Sequence, residues 1–413
     1  MTYIKPDNLS KSFLVREILQ QGFVAGQKQD WLAVSQQLQQ LPIAKIDGST
    51  KQFILDADDW QKAFKLALDM LTAGDFQHQW TIAKIFPLFG RKVIAPLSIL
   101  LKDEQLEVEV RWFICQILGK FPEESVVLIL IELLQSTTDN ELMAIAGKTL
   151  IAIGDRAIDS LVGLLSQPEY TLLAVKSLSY IRTASTISPL LSVIECEDAE
   201  VRATAINALG SFHDRRIPPV LITALKDKAS RVRKEAAIAL GFRPDLCLEL
   251  NLIQHLKPLL QDLNLEVCHE AAIALGRMQQ NIANTALYEV LQADTTPISL
   301  KADLIKALSW SKLSSGITYL ETAIDNASEL TIREIITVLG RTSRSELKPL
   351  AVGVLSNFWQ KKQPLSAQIR QMMATALGEL REPTARPILE ELAQDSDRKV
   401  QLHALSALKK LSL

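Results

Sequence analysis

Cysteine and histidine are rare in this 413-residue chain, and they gather most densely between residues 247 and 269. Cys247, Cys268 and His269, with His255 among them and His213 upstream, offer the thiols and imidazoles that hold zinc or a soft iron site. Their spacing matches no local metal signature. Adjacent residues such as Cys268 and His269 point roughly 100° apart on a helix, which works against their sharing one ion. A second set is Arg111-Trp112-Phe113-Ile114-Cys115, bulky where comparable segments carry alanine. An indole face beside a guanidinium suits a planar ligand with carboxylate arms, but ordinary core packing against the N-terminal segment is the expectation for the same residues. Third, the recurring arginines Arg111, Arg202, Arg233, Arg333 and Arg370 could grip anions. Each has acidic residues in its own or the preceding turn, so internal pairing is the expectation. No G-x-S-x-G, H-E-x-x-H, P-loop or G-x-G-x-x-G motif is present, and no catalytic residue stands out.

These residues are positioned by a recurring element. Val232-Arg-Lys-Glu-Ala-Ala-Ile-Ala-Leu-Gly241 has apolar residues at helical spacing and returns as Val267-Cys-His-Glu-Ala-Ala-Ile-Ala-Leu-Gly276 and Val201-Arg-Ala-Thr-Ala-Ile-Asn-Ala-Leu-Gly210. The alanines permit close helix approach, and the glycine is expected to take φ > 0 and stop the helix. Equivalent stops fall at Gly90, Gly119, Gly154, near Arg182, near Ser311, at Gly340 and Gly378 and near Leu411, spaced 28–38 residues apart, a period that indicates a solenoid of helix pairs. A first helix, often with proline near its start as in Ile94-Ala-Pro96 and Ile217-Pro-Pro219, precedes each such element across a polar turn.

Residues 1–75 do not follow the period. Ser10 to Gln21 and Gln29 to Leu41 read as amphipathic helices, Pro42 to Lys51 as a loop and Asp58 to Leu71 as a helix. Together they form an N-terminal helical cap over the apolar end of the array. Residues 76–413 hold about ten repeats. The fold expected is all-α, a right-handed α-α superhelix whose second helices line the concave side.

Hydrophobic residues make up 48% of the chain but aromatics only 6%, so burial rests on Leu, Ile, Val and Ala. A formal net charge of −2 supplies no field for gathering polyanions, which argues against a nucleic-acid partner. The run Val126 to Leu134 is too short to span a bilayer, no secretory signal is present, and the four scattered cysteines read as reduced thiols of a cytoplasmic protein.

The pattern of an Asp, a few residues and then Val-Arg resembles the HEAT-repeat superfamily, more narrowly its short-repeat subgroup named after the phycobilisome lyases. It is carried by Asp227 with Val232-Arg233, Asp198 with Val201-Arg202, Asp325 with Ile332-Arg333, and Glu109-Val110-Arg111. In that family the Asp and Arg residues form a ladder between successive turns and helices, which implies a structural role for Asp198, Arg202, Asp227, Arg233, Arg333 and Arg370. The resemblance covers roughly residues 80–413 and implies an armadillo-like solenoid that holds another protein in its groove. Narrower implications are a scaffold or assembly factor, such as the HEAT-repeat partner of an iron-sulfur carrier protein, or a bilin lyase of the E/F type. The lyase would cradle a bilin with Arg111, Trp112 and Cys115; the iron-sulfur association would bring a cluster toward Cys247, Cys268 and His269. A DNA glycosylase built on similar repeats would need a basic groove, which this composition lacks.

Overall fold

The computed structural model describes residues 6–46, 50–361 and 364–411. It divides into two compact units, Met1–Val193 and Ile194–Leu413. Both are built from helix pairs in two layers.

In the first unit the helices Pro6–Gln27, Trp31–Gln39 and Ala57–Ala73 pack together, and the last of them leads into Phe76–Ala83. Aspartates set the starts of three of these helices: the Asp30, Asp56 and Asp75 carboxylates accept from the amides of Ala33, Asp59 and His78 at 3.0, 2.8 and 3.0 Å. Such caps satisfy amides that have no acceptor within the helix. Of the segment expected to be a loop, Pro42 to Lys51, most described residues are in strands: Ile43–Ile46 pairs antiparallel with Thr50–Phe53, Ile43 opposite Phe53, and residues 47–49 lie outside those described. Isoleucine, threonine and phenylalanine favour the extended state. Phe53 is buried edge-on against Phe89, their ring centroids 5.0 Å apart. Gln52 of the same strand packs over Gly90, which has φ +73° and whose missing side chain leaves that space open.

The second helices of this unit, Val108–Leu118, Asn140–Ile153 and Pro168–Ile181, pack in succession, and the first helices Ile94–Leu101, Glu124–Ser136 and Ile158–Leu164 form the other layer. The second unit repeats the plan. Its second-helix layer runs Ala199–Leu209, Ser230–Gly241, Leu265–Arg277, Ile298–Trp310, Glu329–Gly340, Ala367–Leu380 and Arg398–Leu411.

The glycines that end these helices do not act as expected. Among them only Gly90 and Gly154 take positive φ; the left-handed positions after the second helices are filled by Arg182, Gln279, Lys312 and Arg381. Gly241, Gly276, Gly340 and Gly378 lie inside their helices. They are contact points. A Cβ on Gly210 would stand 2.6 Å from the Ala239 Cβ, one on Gly241 3.0 Å from the Ala274 Cβ, and one on Gly276 2.8 Å from the Ala307 backbone. Gly340 and Gly378 meet Ala376 and Ala407 in the same way, at 2.7 and 2.6 Å. Glycine facing alanine brings successive second helices closer than any larger pair allows.

Candidate functional site

Once the contact glycines set the register, a ladder follows. Arg111, Arg202, Arg233, Cys268 and Arg370 each stand eight residues before their glycine. Arg202, its side chain only 5% exposed, donates from Nε and Nη2 to both Asp227 oxygens at 2.8 and 2.7 Å, and from Nη1 to the carbonyls of Cys196 and Glu197 at 2.7 and 2.9 Å. Arg233 repeats this on Asp262 at 2.7 Å twice and on the Asp227 and Lys228 carbonyls. Arg370 makes the same fork with Asp395 at 2.6 and 2.9 Å. Each guanidinium therefore closes its own turn and clamps the next one.

The carboxylates respond. Hydrogen bonds from Arg233 and Arg370 hold Asp262 and Asp395 below the usual carboxylate range. Burial pushes Asp227 up, but donation by Arg202 and the Ala229 amide outweighs it and leaves that group lowered too.

In none of the four matched segments is the local carboxylate the arginine's partner; of Asp227, Arg233 meets only the backbone carbonyl. Asp198 is not the partner of Arg202; it caps the helix Ala199–Leu209, accepting from the Glu200 amide at 2.7 Å. Asp325 binds Lys361 at 3.2 Å. Arg333 lies seven residues before Gly340, so buried Ile332 takes the ladder position and Arg333 falls on the half-exposed face, with no ion pair among the described residues. Arg111, in place on the ladder, donates from Nε to the Leu101 carbonyl at 2.9 Å and likewise has no ion pair among the described residues. Asp139, which lines a cavity together with Arg111, caps the following helix instead.

Cys268 substitutes for an arginine. Its thiol donates to the Asp262 carbonyl at 3.2 Å, six residues upstream, as Arg233 does to Asp227. Thr171 and Gln401 cap the corresponding carbonyls of Leu165 and Asp395. A cleft of about 660 Å³ lies beside Cys268, Asp262 and Leu263, and one of the same volume lies beside Arg202 and Asp227, so the exchange of arginine for cysteine does not create it. Cys247 is buried, and burial raises both thiols above their ordinary values, which opposes the thiolate a metal needs. His269 points elsewhere, hydrogen-bonded to Asp303 of the next second helix. Among the described residues, no three His, Cys, Asp or Glu side chains gather at metal-binding distance.

Nor do Arg111, Trp112 and Cys115 converge. Arg111 borders a cavity of about 360 Å³ that neither Trp112 nor Cys115 lines. The Cys115 thiol is fully buried, its pKa pushed up to about 12 by burial, and Trp112 stands edge-on to Phe113 at 5.0 Å. Phe113, fully buried, in turn meets the exposed rings of Phe76 and Trp80, so this aromatic cluster runs from the core of the first unit to its surface.

The outward face of the second-helix layer carries a second, more exposed network that the sequence reading did not find. Glu200 pairs with Arg231, Lys234 with Glu266 at 2.8 Å, and His269 with Asp303, while Lys306 reaches Asp303 at 3.4 Å and Glu334 at 3.7 Å. Glu379 pairs with Lys410, and His403 is held by Gln371 at 2.7 Å. The signal was present as opposite charges one repeat apart. Near Gly340 a cavity of about 480 Å³ lies between two of these helices, lined by Thr337, Gln371, Met372 and Thr375.

Clamped turns and glycine–alanine helix contacts recurring along the chain define a repeat protein, and a family model for HEAT repeats matches residues 93–179, 187–262 and 363–413, more than half of the chain. The chain belongs to the HEAT-repeat family. Among solved structures, importin beta is 14% identical with a TM-score of 0.54, aligning over 87% of this chain and 54% of that one. A Kap121p mutant is 15% identical with a TM-score of 0.50, over 92% of this chain and 51% of that one. An engineered protein is 19% identical over 77% of this chain and 98% of its own, with a TM-score of 0.39. At such identities the likeness concerns the fold. No curated protein matches the sequence. No helix among the described residues is long and apolar enough to cross a membrane.

Proposed function

We propose that this HEAT-repeat protein is a scaffold that binds another protein along the exposed face of its second helices. The observation that carries the reading is how polar side chains are used. The buried arginines are consumed by the ladder, whereas the second-helix face presents polar and charged groups over seven consecutive helices of the second unit. HEAT repeats commonly serve as such surfaces, and fold alone does not assign chemistry.

The finer partners implied by the resemblance, a phycobiliprotein acceptor or an iron-sulfur carrier, share this surface in our reading. A bilin or cluster would arrive with the partner rather than sit on Arg111, Trp112 and Cys115 or on Cys247, Cys268 and His269. Photo-crosslinking tests the proposal. A crosslinker at Thr337, on the second-helix face, is expected to capture a defined protein, and one at Thr322, on the exposed face of a first helix, is not. Adducts only at Thr322 would overturn the reading. A visible absorption spectrum of the captured complex separates a bilin-bearing, a cluster-bearing and a colourless partner.

A further inference from the structure

At the C-terminal edge of the second-helix layer Phe242, Arg277, Trp310 and Arg341 form a row in four successive repeats: Phe242, Arg277 and Arg341 each follow a contact glycine, and Trp310 stands three residues after the contact residue Ala307, as Phe242 does after Ala239 and Arg277 after Ala274. The register is set by the packing, since Gly241 meets Ala274 and Gly276 meets Ala307. Phe242 is 62% exposed and Trp310 46%, so both rings are open to a partner. The Arg277 guanidinium stacks on Phe242 with 4.4 Å to the ring centroid. Trp310 and Arg341 line one cavity of about 200 Å³ with Lys306, Lys312, Arg344 and Leu347.

Charge separates this edge from the rest of the face. Carboxylates near it are taken: Asp245 by Arg243 at 2.8 Å, Glu346 by Arg344 at 3.3 Å, and Glu334 by Lys306 at 3.7 Å. Arg277, Lys312 and Arg341 make no ion pair among the described residues. The Trp310 indole N–H makes no hydrogen bond among the described residues either, and is free to donate to a peptide carbonyl.

We propose that this edge binds an acidic, extended peptide segment of the partner, its carboxylates on Arg277, Arg341 and Lys312 and its apolar side chains against Phe242 and Trp310. The inference rests on the scaffold reading and names the chemistry of its ligand. Packed helices lie about 8–10 Å apart, so the four repeats span roughly 25–30 Å, the reach of about eight or nine extended residues. Alternating arginine and aromatic suits side chains that alternate in kind. Single-stranded nucleic acid fits less well, because a phosphate at every step would need a continuous cationic track.

The test is fluorescence anisotropy of the full chain with a labelled peptide of about nine residues alternating Glu and Tyr. Binding is expected, weakening with added salt, and lost at least tenfold in Arg277→Glu/Arg341→Glu and in Trp310→Ala. The double variant Lys226→Glu/Lys228→Glu makes the same charge change on an exposed turn, leaves affinity unchanged and controls for bulk charge. Equal weakening by that control, no effect of the edge variants in a chain with unchanged circular dichroism, equal binding of a Lys/Tyr peptide, or preference for oligothymidylate would each overturn the proposal. No binding to the peptide while Thr337 still crosslinks a partner removes the edge and leaves the scaffold; loss of both removes both.

Discussion

At the scale of single residues, the ladder position decides whether an arginine is structural. Arg202→Ala removes both bonds to Asp227 and both to the carbonyls of Cys196 and Glu197, leaving partly buried acceptors unpaired. A loss of about 3 kcal/mol is expected in urea denaturation. Arg333→Ala, one position off the ladder, is expected to cost below about 0.5 kcal/mol, and a similar cost for both would remove the distinction. The same pairs make stability depend on pH. Asp227, Asp262 and Asp395 are lowered in the folded state, so their contribution is complete above the unfolded carboxylate value of about 4 and is lost as pH falls through their folded values. Urea midpoints measured below about pH 4 are expected to fall steeply, and Asp262→Asn to make the dependence shallower. The arginines themselves were legible in the sequence. Their partners were not, because Asp and Val-Arg are neighbours in the chain whereas the guanidinium reaches forward to the next turn.

At the scale of the helix, small residues at the contact points set the spacing. Gly276→Ala would place a methyl 2.8 Å from the Ala307 backbone, which cannot yield without parting the helices, and is expected to cost about 1–3 kcal/mol. Gly147 and Gly353 lie in helices with nothing within 4 Å of an added Cβ. Alanine at either should stabilise by about 0.5–1 kcal/mol through helix propensity and a less mobile unfolded chain. Opposite signs for these substitutions in thermal or urea melts check the contact role; the same sign would refute it. The repeat and its helix pairs were readable from the period of the glycines, but the reason for glycine was not. A terminal glycine in one sequence looks alike whether it turns the chain or admits a neighbour, and only the facing alanines tell them apart. The strand pair was hard to read for a related reason: Ile43–Ile46 and Thr50–Phe53 are four residues each, too short for an alternating pattern to stand out from a loop.

At the scale of the whole molecule, most contacts join neighbouring repeats, so stability should be close to a sum of local terms rather than one all-or-none quantity. The clamp couples each turn only to the next, since Arg202 ends on Asp227 and Arg233 on Asp262, and the chain of clamps is interrupted at Cys268. A lesion at the Gly276–Ala307 contact is therefore expected to spread along the second-helix layer by one or two repeats and then fade. Amide hydrogen exchange on the full chain measures this directly. In Gly276→Ala, protection should drop most in Leu265–Arg277 and Ile298–Trp310, less in Ser230–Gly241 and Glu329–Gly340, and not in Val108–Leu118 of the other unit. Uniform loss across both units would mean that the chain opens as one block and that the ladder is not the coupling element. A graded profile would locate cooperativity in neighbouring interfaces, and would mean that substitutions at the Phe242–Arg341 edge can be read for binding without unfolding the first unit.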